Sequence, residues 1–391
     1  MAQNEIALRY GFNPHQRPAR VYVKNGSLPV RVLNGAPGYI NMLDALNGWQ
    51  LVKELKLILN LPAAASFKHV SPAGAAVGLP LNDTLKKAYF VDGMEESPLM
   101  AAYARARGAD RVSSYGDFAA LSDRVDVPTA RLINREVSDG VIATGYEKAA
   151  LDILKSKKGG KYLVLEIDPD YVPGEVETRE VFGVQFEQRR NTALATPDIL
   201  KNIVTRKKEL PPAVIRDLVV ATATIKYTQS NTIGFAVDGQ AIGVGAGQQS
   251  RIHCTRLAAD KANCWFLRQH PVVLGLRWRD GVGRAERNNA IDLYLQERLN
   301  DFEKKNLAGA LEKVPPQLNW EEKRGWLNGL KGVSLSSDGM IPFRDTIDRA
   351  YQSGVGYVAQ PGGSIRDDDV IKACDDYGMV MAFTGLRLFH H

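Results

Sequence analysis

The chain has 391 residues, of which 45% are apolar and 24% charged, and its 50 Lys and Arg residues against 44 Asp and Glu residues give a formal net charge of +6. This globular composition excludes disordered and fibrous classes, and the dispersed positive charge, which argues against nucleic-acid binding, either draws small anionic ligands into a cleft or only keeps the surface soluble. No run reaches the ~18 apolar residues of a membrane span, no signal peptide is recognisable and the three cysteines form no CxxC pair, so we expect a cytoplasmic protein without a membrane partner.

Strand and helix signals alternate along most of the chain, which predicts an α/β fold of two domains. Apolar residues at helical spacing predict a helix over about 41–59. The apolar run 63–67 predicts a buried strand, which residues 71–74 (Ser-Pro-Ala-Gly) are expected to break. A helix is then predicted over 146–156 and a strand over 162–167.

Between residues 168 and 212 the pattern weakens, as expected of a connection between domains. A helix over about 213–222 leads into a predicted hairpin with an Asp238-Gly239 turn, because both central positions of such a turn require φ > 0. The glycine-rich residues 243–247 either present N–H groups to an anion or form only a tight turn. Ser250 is predicted to cap the following helix.

Charged, leucine-spaced residues from about 280 to 330 predict a helical insertion. The strand pattern resumes at 355–359, a helix is expected after residues 367–369, and 380–383 is predicted to be a closing strand.

Two segments carry candidate chemistry. Lys68 and His69 follow a buried strand, where they are either a surface pair or a charge next to a group that exchanges protons near neutral pH. The amides and hydroxyls of residues 226–231 either orient a carbonyl oxygen or only satisfy turn backbone. No histidine is followed two residues later by Glu and no cysteine pair exists, so we expect no zinc.

Taken together, long segments in the same order closely resemble one family, the AICAR transformylase domain of bifunctional purine biosynthesis proteins. The segments are LRYGFNPHQ (8–16), LNGAPGYIN (33–41), FKHVSPAGAAVG (67–78), AYARARGADR (102–111), REVSDG (135–140), KYTQSN (226–231), GAGQQSRIHCTRLA (245–258), PFRD (342–345) and LRLFHH (386–391). They span almost the whole chain.

The resemblance implies transfer of a formyl group from 10-formyltetrahydrofolate to the 5-amino group of AICAR, giving FAICAR and tetrahydrofolate. It implies that His69 is the general base, that Lys68 assists the oxyanion or protonates the leaving folate nitrogen, and that Asn231 orients the formyl group.

The resemblance also implies two sets of binding residues and a monovalent cation, potassium, whose ligands it does not identify here. The nucleotide set is Arg9, Tyr10, His15, Gly116, Asp139 and Arg387. The folate set is Arg251, Ile252, Met340 and Asp345. Met340 and Tyr115 replace residues that are commonly Phe in the family, and the loop 360–363 departs from the usual small residues, which puts folate affinity in question.

The fold implied by the resemblance consists of two tandem cytidine-deaminase-like domains without zinc, with a helical insertion in the second. We expect the domains at 1–199 and 200–391, and a homodimer with shared active sites. We also expect a separate IMP cyclohydrolase, since no cyclohydrolase segment is recognised. The alternatives are the same fold with another formyl donor and a non-catalytic nucleotide-binding protein.

Overall fold

The computed structural model describes residues 3–391. A mixed α/β fold surrounds one eleven-stranded sheet, which confirms the predicted fold class. The strands within these residues are β1 (Glu5–Leu8), β2 (Ala19–Tyr22), β3 (Val30–Asn34), β4 (Ala63–Lys68), β5 (Ser71–Val77), β6 (Asp117–Leu121), β7 (Ser138–Ala143), β8 (Leu163–Ile167), β9 (Val176–Val181), β10 (Val184–Arg189), β11 (Ile233–Val237), β12 (Gln240–Gly245), β13 (Val333–Ser337), β14 (Val355–Gln360) and β15 (Val380–Phe383).

Helices cover both faces of the sheet, and none within residues 3–391 is both long and apolar enough to cross a membrane. They are α1 (Tyr39–Leu59), α2 (Asp83–Ala88), α3 (Pro98–Gly108), α4 (Val127–Arg135), α5 (Lys148–Gly160), α6 (Pro212–Lys226), α7 (Arg251–Leu267), α8 (Pro271–Leu274), α9 (Arg284–Leu295), α10 (Asp301–Ala310), α11 (Trp320–Leu327), α12 (Asp345–Tyr351) and α13 (Asp367–Asp376). The stretch predicted to be helical from about 280 to 330 thus contains α9, α10 and α11.

The sheet order is β15-β14-β13-β11-β12-β5-β4-β6-β7-β8-β3, and its two halves repeat one pairing pattern. β5 and β4 pair antiparallel, β4 and β6 antiparallel, and β6, β7 and β8 parallel. β12, β11, β13, β14 and β15 pair in the same succession. The halves join where β5 lies antiparallel to β12, with Ala76 opposite Gln240. This repeat supports two related units, while the domain boundary at residue 199 stays a prediction.

Alternation along the strands divides the core into two layers. Ala63 and Ala65 pack in the layer that contains apolar residues of α1 and α6. Ala64, between them, packs in the layer on the opposite face, which contains apolar residues of α3 and α7. Because successive side chains of a strand point to opposite faces, both faces of the sheet are buried.

Two expectations for local structure require correction, and the segment 168–212 contains more structure than its sequence indicates. Residues 71–74 do not break the sheet but begin β5, and Pro72 fits because it lies opposite Phe67, where a bulge shifts the register. The connection 168–212 contains the exposed hairpin β9–β10. Ser250 occupies the N-cap position of α7, but its hydroxyl makes no capping hydrogen bond.

The Asp238-Gly239 hairpin is confirmed, with φ values of 50° and 70° at its two turn residues. It lies at the edge of the sheet opposite the β4–β5 turn, because the directions of β4 and β11 are opposite. Asp217 of α6 accepts both turn N–H groups, from Asp238 at 2.8 Å and from Gly239 at 2.7 Å. Arg105 of α3 donates to the carbonyl oxygen and the carboxylate of Asp238. In the Asp238-Gly239 turn, both N–H groups and the carbonyl oxygen and carboxylate of Asp238 are therefore hydrogen-bonded within the protein.

Candidate active site

One edge of the sheet collects polar residues from several strands. β4 runs antiparallel to β6, and β6 runs parallel to β7, so the end of β4 lies beside the starts of β6 and β7. This arrangement places Lys68 and His69 next to Gly116, which precedes β6, and to Asp139, the second residue of β7. The predicted catalytic pair and two predicted nucleotide residues thus meet at one edge.

His69 and Val70 form the two-residue turn between β4 and β5. Both have positive φ, 52° and 60°, which two-residue hairpin turns require but which residues other than glycine rarely adopt. The N–H of Val70 donates to Oδ1 of Asp44 on α1 at 2.7 Å. Burial raises the pKa of Asp44 to about 7, against the lowering effect of the Val70 N–H. The His69 side chain itself is exposed.

An open cleft of about 280 Å³ lies over this turn. Its walls include six of the residues predicted for catalysis or nucleotide binding: Arg9, Tyr10, Lys68, His69, Gly116 and Asp139. The rest of the wall is formed by Asp44, Phe118, residues 38–41 at the start of α1, and Gly11, Phe12 and Pro14. The cleft therefore offers cationic groups and an imidazole to an anionic part of a ligand, and carboxylates to its hydrogen-bond donors.

The charged groups of the cleft have partners at its rim. Lys68 Nζ donates to the carbonyl oxygen of Tyr115, and Lys158 Nζ donates to Asp139 Oδ1 at 2.7 Å. Arg9 Nη2 donates to Asn41 Oδ1 at 3.3 Å. Because Arg9, Lys158 and Asp139 are all at least partly exposed, a ligand can replace these contacts at modest cost.

A buried ionic network lies beneath the cleft. Asp117 pairs with Arg107 at 2.5 Å and accepts the hydroxyl of Ser66 at 2.8 Å. Arg107 also pairs with Glu136, 3.2 Å away. Burial alone would raise the pKa of Glu136, but the guanidinium groups of Arg111, Arg107 and Arg284 lower it to about 2. This network fixes the strand starts that carry Gly116 and Asp139.

A second cluster lies on the same edge, in the other half of the sheet. Arg251 Nη2 donates to Asn231 Oδ1 at 2.9 Å, and Arg251 Nη1 pairs with the buried carboxylate of Asp338. Ser230 Oγ donates to Asp338 Oδ2 at 2.6 Å. The cluster approaches the first site where Gln229 N–H meets the hydroxyl of Ser71, 3.4 Å away. Predicted residues Asn231 and Arg251 are thus in contact with each other and not in the cleft wall.

The remaining predicted residues lie apart from the cleft wall. His15 is exposed in the loop before β2, and the guanidinium of Arg387 lies over the ring of Phe389, 4.9 Å from its centroid. Met340 is 49% exposed, Ile252 is partly exposed, and Asp345 begins α12. In the unusual loop 360–363, Gln360 is buried and accepts the N–H of Ile341, next to Met340.

Asp44, Asn41 and Asp117 line or support the site and were not predicted. A carboxylate among the apolar residues of helix 41–59 was the available signal for Asp44, since a buried acid needs a partner. Within residues 3–391, no three His, Cys, Asp or Glu side chains are grouped as a metal site requires. The expectation of no zinc stays a prediction.

Comparisons with known proteins agree with this arrangement. The sequence profile of one family, described as AICARFT/IMPCHase bienzyme, matches residues 1–261. Bifunctional purine biosynthesis proteins PurH of Magnetococcus marinus and of Ruegeria sp. are each 31% identical to the chain, and that of Cereibacter sphaeroides is 30% identical. Each alignment covers 98% of this chain, which spans 59% of the length of each relative.

Proposed function

The chain belongs to the AICARFT/IMPCHase bienzyme family, and from that membership we propose that it acts in purine biosynthesis as a cytoplasmic AICAR formyltransferase. The reaction is AICAR plus 10-formyltetrahydrofolate to FAICAR plus tetrahydrofolate. The observation that carries the proposal is the cleft in which Lys68 and His69 stand beside Arg9, Tyr10, Gly116 and Asp139. Six residues that the family resemblance assigns to one nucleotide and its chemistry therefore share one wall.

His69 is proposed as the general base that removes the proton of the AICAR amine as it attacks the formyl carbon. That amine is conjugated with the imidazole ring and is a weak nucleophile, so proton removal must accompany attack. Lys68 then supports the oxyanion or protonates the departing folate nitrogen. The partial burial of Lys68 supports this role, because a charge acts more strongly where water is reduced.

Asn231 is proposed to orient the formyl group. Arg251 donates to its amide oxygen, so the amide nitrogen is left as the donor toward a formyl oxygen. Within the described residues this nitrogen contacts only the carbonyl oxygen of Gln249, and their distance of 3.4 Å is long for a hydrogen bond. Arg251 itself is buried in the pair with Asp338. On the folate side this leaves Ile252, Met340 and Asp345 as the more accessible proposed contacts.

Potassium is proposed as a structural cation on the edge that carries Asn231. The buried hydroxyl oxygen of Thr232 has no hydrogen-bond partner within residues 3–391, and the N–H of Thr232 donates to Asp338 Oδ2 at 3.1 Å. Hydroxyl, carbonyl and carboxylate oxygens suit a hard cation. Bound there, it would add positive charge that fixes the backbone around Asn231. Thermal unfolding in potassium chloride against tetramethylammonium chloride tests this assignment.

The active unit is proposed to be a homodimer, because the resemblance implies active sites shared across a two-fold interface. Sedimentation velocity combined with activity at decreasing concentration tests it. A fully active monomer would contradict shared sites.

These 391 residues are proposed to transfer the formyl group without closing the purine ring, so that IMP formation requires a separate cyclohydrolase. The motifs of the transformylase domain support this, since they are distributed from residue 8 to residue 391. Product analysis tests it directly. FAICAR accumulation supports the proposal, and IMP formation by the purified chain refutes it.

The test of the proposed chemistry is a spectrophotometric assay with AICAR and 10-formyltetrahydrofolate. His69→Ala should lower kcat by about 10²–10⁴ while AICAR affinity, measured by calorimetry, changes little. His270→Ala is the matched control, because His270 caps α8 and does not line the cleft. Wild-type turnover by His69→Ala would refute the mechanism. Binding of both ligands without turnover by the wild type would favour another formyl donor or a non-catalytic role.

A further inference from the structure

The turn that carries His69 has an unusual backbone for its residues. Val70 is β-branched and has φ of 60°, a conformation that the branched side chain disfavours strongly. His69, at 52°, is in the same region. Two such residues in succession persist only when the surrounding structure holds them. From outside the hairpin, the turn is held by the hydrogen bond of 2.7 Å that the Val70 N–H donates to Asp44 Oδ1.

The other half of the sheet has an equivalent hairpin turn that is also anchored by an aspartate, but by two hydrogen bonds where the His69-Val70 turn has one. Asp217 of α6 occupies the place that Asp44 has on α1, and it uses both carboxylate oxygens for the two turn N–H groups. Asp44 uses only Oδ1, and within residues 3–391 its Oδ2 makes no hydrogen bond. Asp44 also lines the cleft, although it is only 5% exposed. The His69-Val70 turn is thus held by one hydrogen bond from α1 and is open to the cleft.

We propose that Asp44 is a positioning residue for the reaction, which holds the imidazole of His69 toward the cleft by fixing the Val70 N–H. The role rests on the proposed function for the chemistry of His69. Without the anchor, the His69-Val70 turn is held by the β4–β5 ladder alone, and the imidazole shifts from its position above β4. A displacement of about 1 Å at a reacting group lowers the rate by as much as ~10²-fold.

Two substitutions distinguish the role of Asp44 as a hydrogen-bond acceptor for the Val70 N–H from the effect of its charge. Asp44→Asn keeps an amide oxygen that accepts the Val70 N–H, whereas Asp44→Ala removes the acceptor. We expect Asp44→Ala to lower kcat about 10²-fold with KM for AICAR within about 3-fold of wild type. Asp44→Asn should restore kcat to within about 5-fold of wild type, since the acceptor is retained.

Asp217→Ala is the matched control, because it removes the equivalent anchor at the opposite edge. It should lower the midpoint of thermal unfolding as Asp44→Ala does, yet leave kcat within about 2-fold of wild type. Equal loss of kcat in Asp44→Ala and Asp217→Ala would show general destabilisation and overturn the proposal. Loss of kcat in Asp44→Asn as large as in Asp44→Ala would assign the effect to the charge and overturn it too.

Amide hydrogen exchange at Val70 tests the anchor without any assay of turnover. Exchange should be faster in Asp44→Ala than in wild type and unchanged in Asp44→Asn. Equal protection in all three proteins overturns the anchoring role. If the wild type lacks transformylase activity, the proposed function fails, while the exchange measurement still decides whether Asp44 holds the turn.

Discussion

Replacing Glu136 with Gln should destabilise the protein strongly, because this carboxylate balances several buried cations. It lies 3.0 Å from Arg111, 3.2 Å from Arg107 and 2.6 Å from Arg284, and both Arg107 and Arg111 are almost fully buried. The amide introduced by Glu136→Gln would accept hydrogen bonds but carry no charge. Removing one partner of a buried ion pair costs about 3–5 kcal/mol, since the remaining charge stays desolvated.

The pKa of Glu136 gives an independent magnitude. Its fall from 4.5 to about 2 corresponds to about 3 kcal/mol of stabilisation of the folded state at neutral pH. A lowered carboxylate pKa stabilises the protein above the unfolded value, and this contribution is lost as the pH falls from about 4.5 toward 2. Wild type and variant should therefore converge in stability in acid, and the loss at pH 7 should be about 3–5 kcal/mol.

The assay is urea denaturation followed by circular dichroism at pH 7 and at a series of lower pH values. Glu95→Gln is the matched control, because Glu95 pairs with Arg131 at 3.6 Å on the surface. An exposed pair contributes only about 0–1 kcal/mol. If Glu136→Gln lost less than about 1 kcal/mol at pH 7, the claim that Glu136 balances the buried guanidinium groups would be wrong.

Two other predictions concern stability. Gly74→Ala should lower the free energy of unfolding by about 1–3 kcal/mol or more, because the new Cβ would lie 2.2 Å from the carbonyl oxygen of Ala106. Gly309→Ala, the matched change in open space on α10, should raise it by about 0.5–1 kcal/mol. Thermal unfolding compares the two variants. Burial raises the pKa of Asp44 to about 7 in the folded protein, so the unfolded chain releases this proton at lower pH than the folded protein does. Wild type therefore loses stability relative to Asp44→Asn as the pH rises from about 4 to 7. A denaturation series in which the difference between these two proteins stays constant with pH would exclude that titration.

Long helices and the polar end of a buried strand were predictable from the sequence. The helix over 41–59 was predictable because its apolar positions follow one face through five turns, and α1 covers residues 39–59. Lys68 and His69 stand out because two polar residues follow an apolar run. The Asp238-Gly239 turn was predictable from its residue types, because glycine and aspartate accept positive φ.

Contacts between distant residues were not predictable. The partner of Asp44 lies 26 residues away in the next hairpin, and that of Arg251 lies 87 residues away, so no local pattern links them. The turn at His69 and Val70 lacks the glycine or asparagine that usually marks positive φ, which explains why the sequence of residues 71–74 indicates a break and not the return strand. The short strand β2 alternates between partly buried and exposed residues and gives little apolar signal.

The repeated pairing pattern has a consequence for the two hairpin turns. Because the halves repeat one strand succession and join antiparallel, each hairpin turn exists twice, at opposite edges of the sheet. The copy at Asp238 and Gly239 is closed by Asp217 and Arg105, while the copy at His69 stays open. The turn at Asp238 and Gly239 thus braces the two halves against each other, because Arg105 of the first half donates to Asp238 of the second, while the turn at His69 lines the cleft.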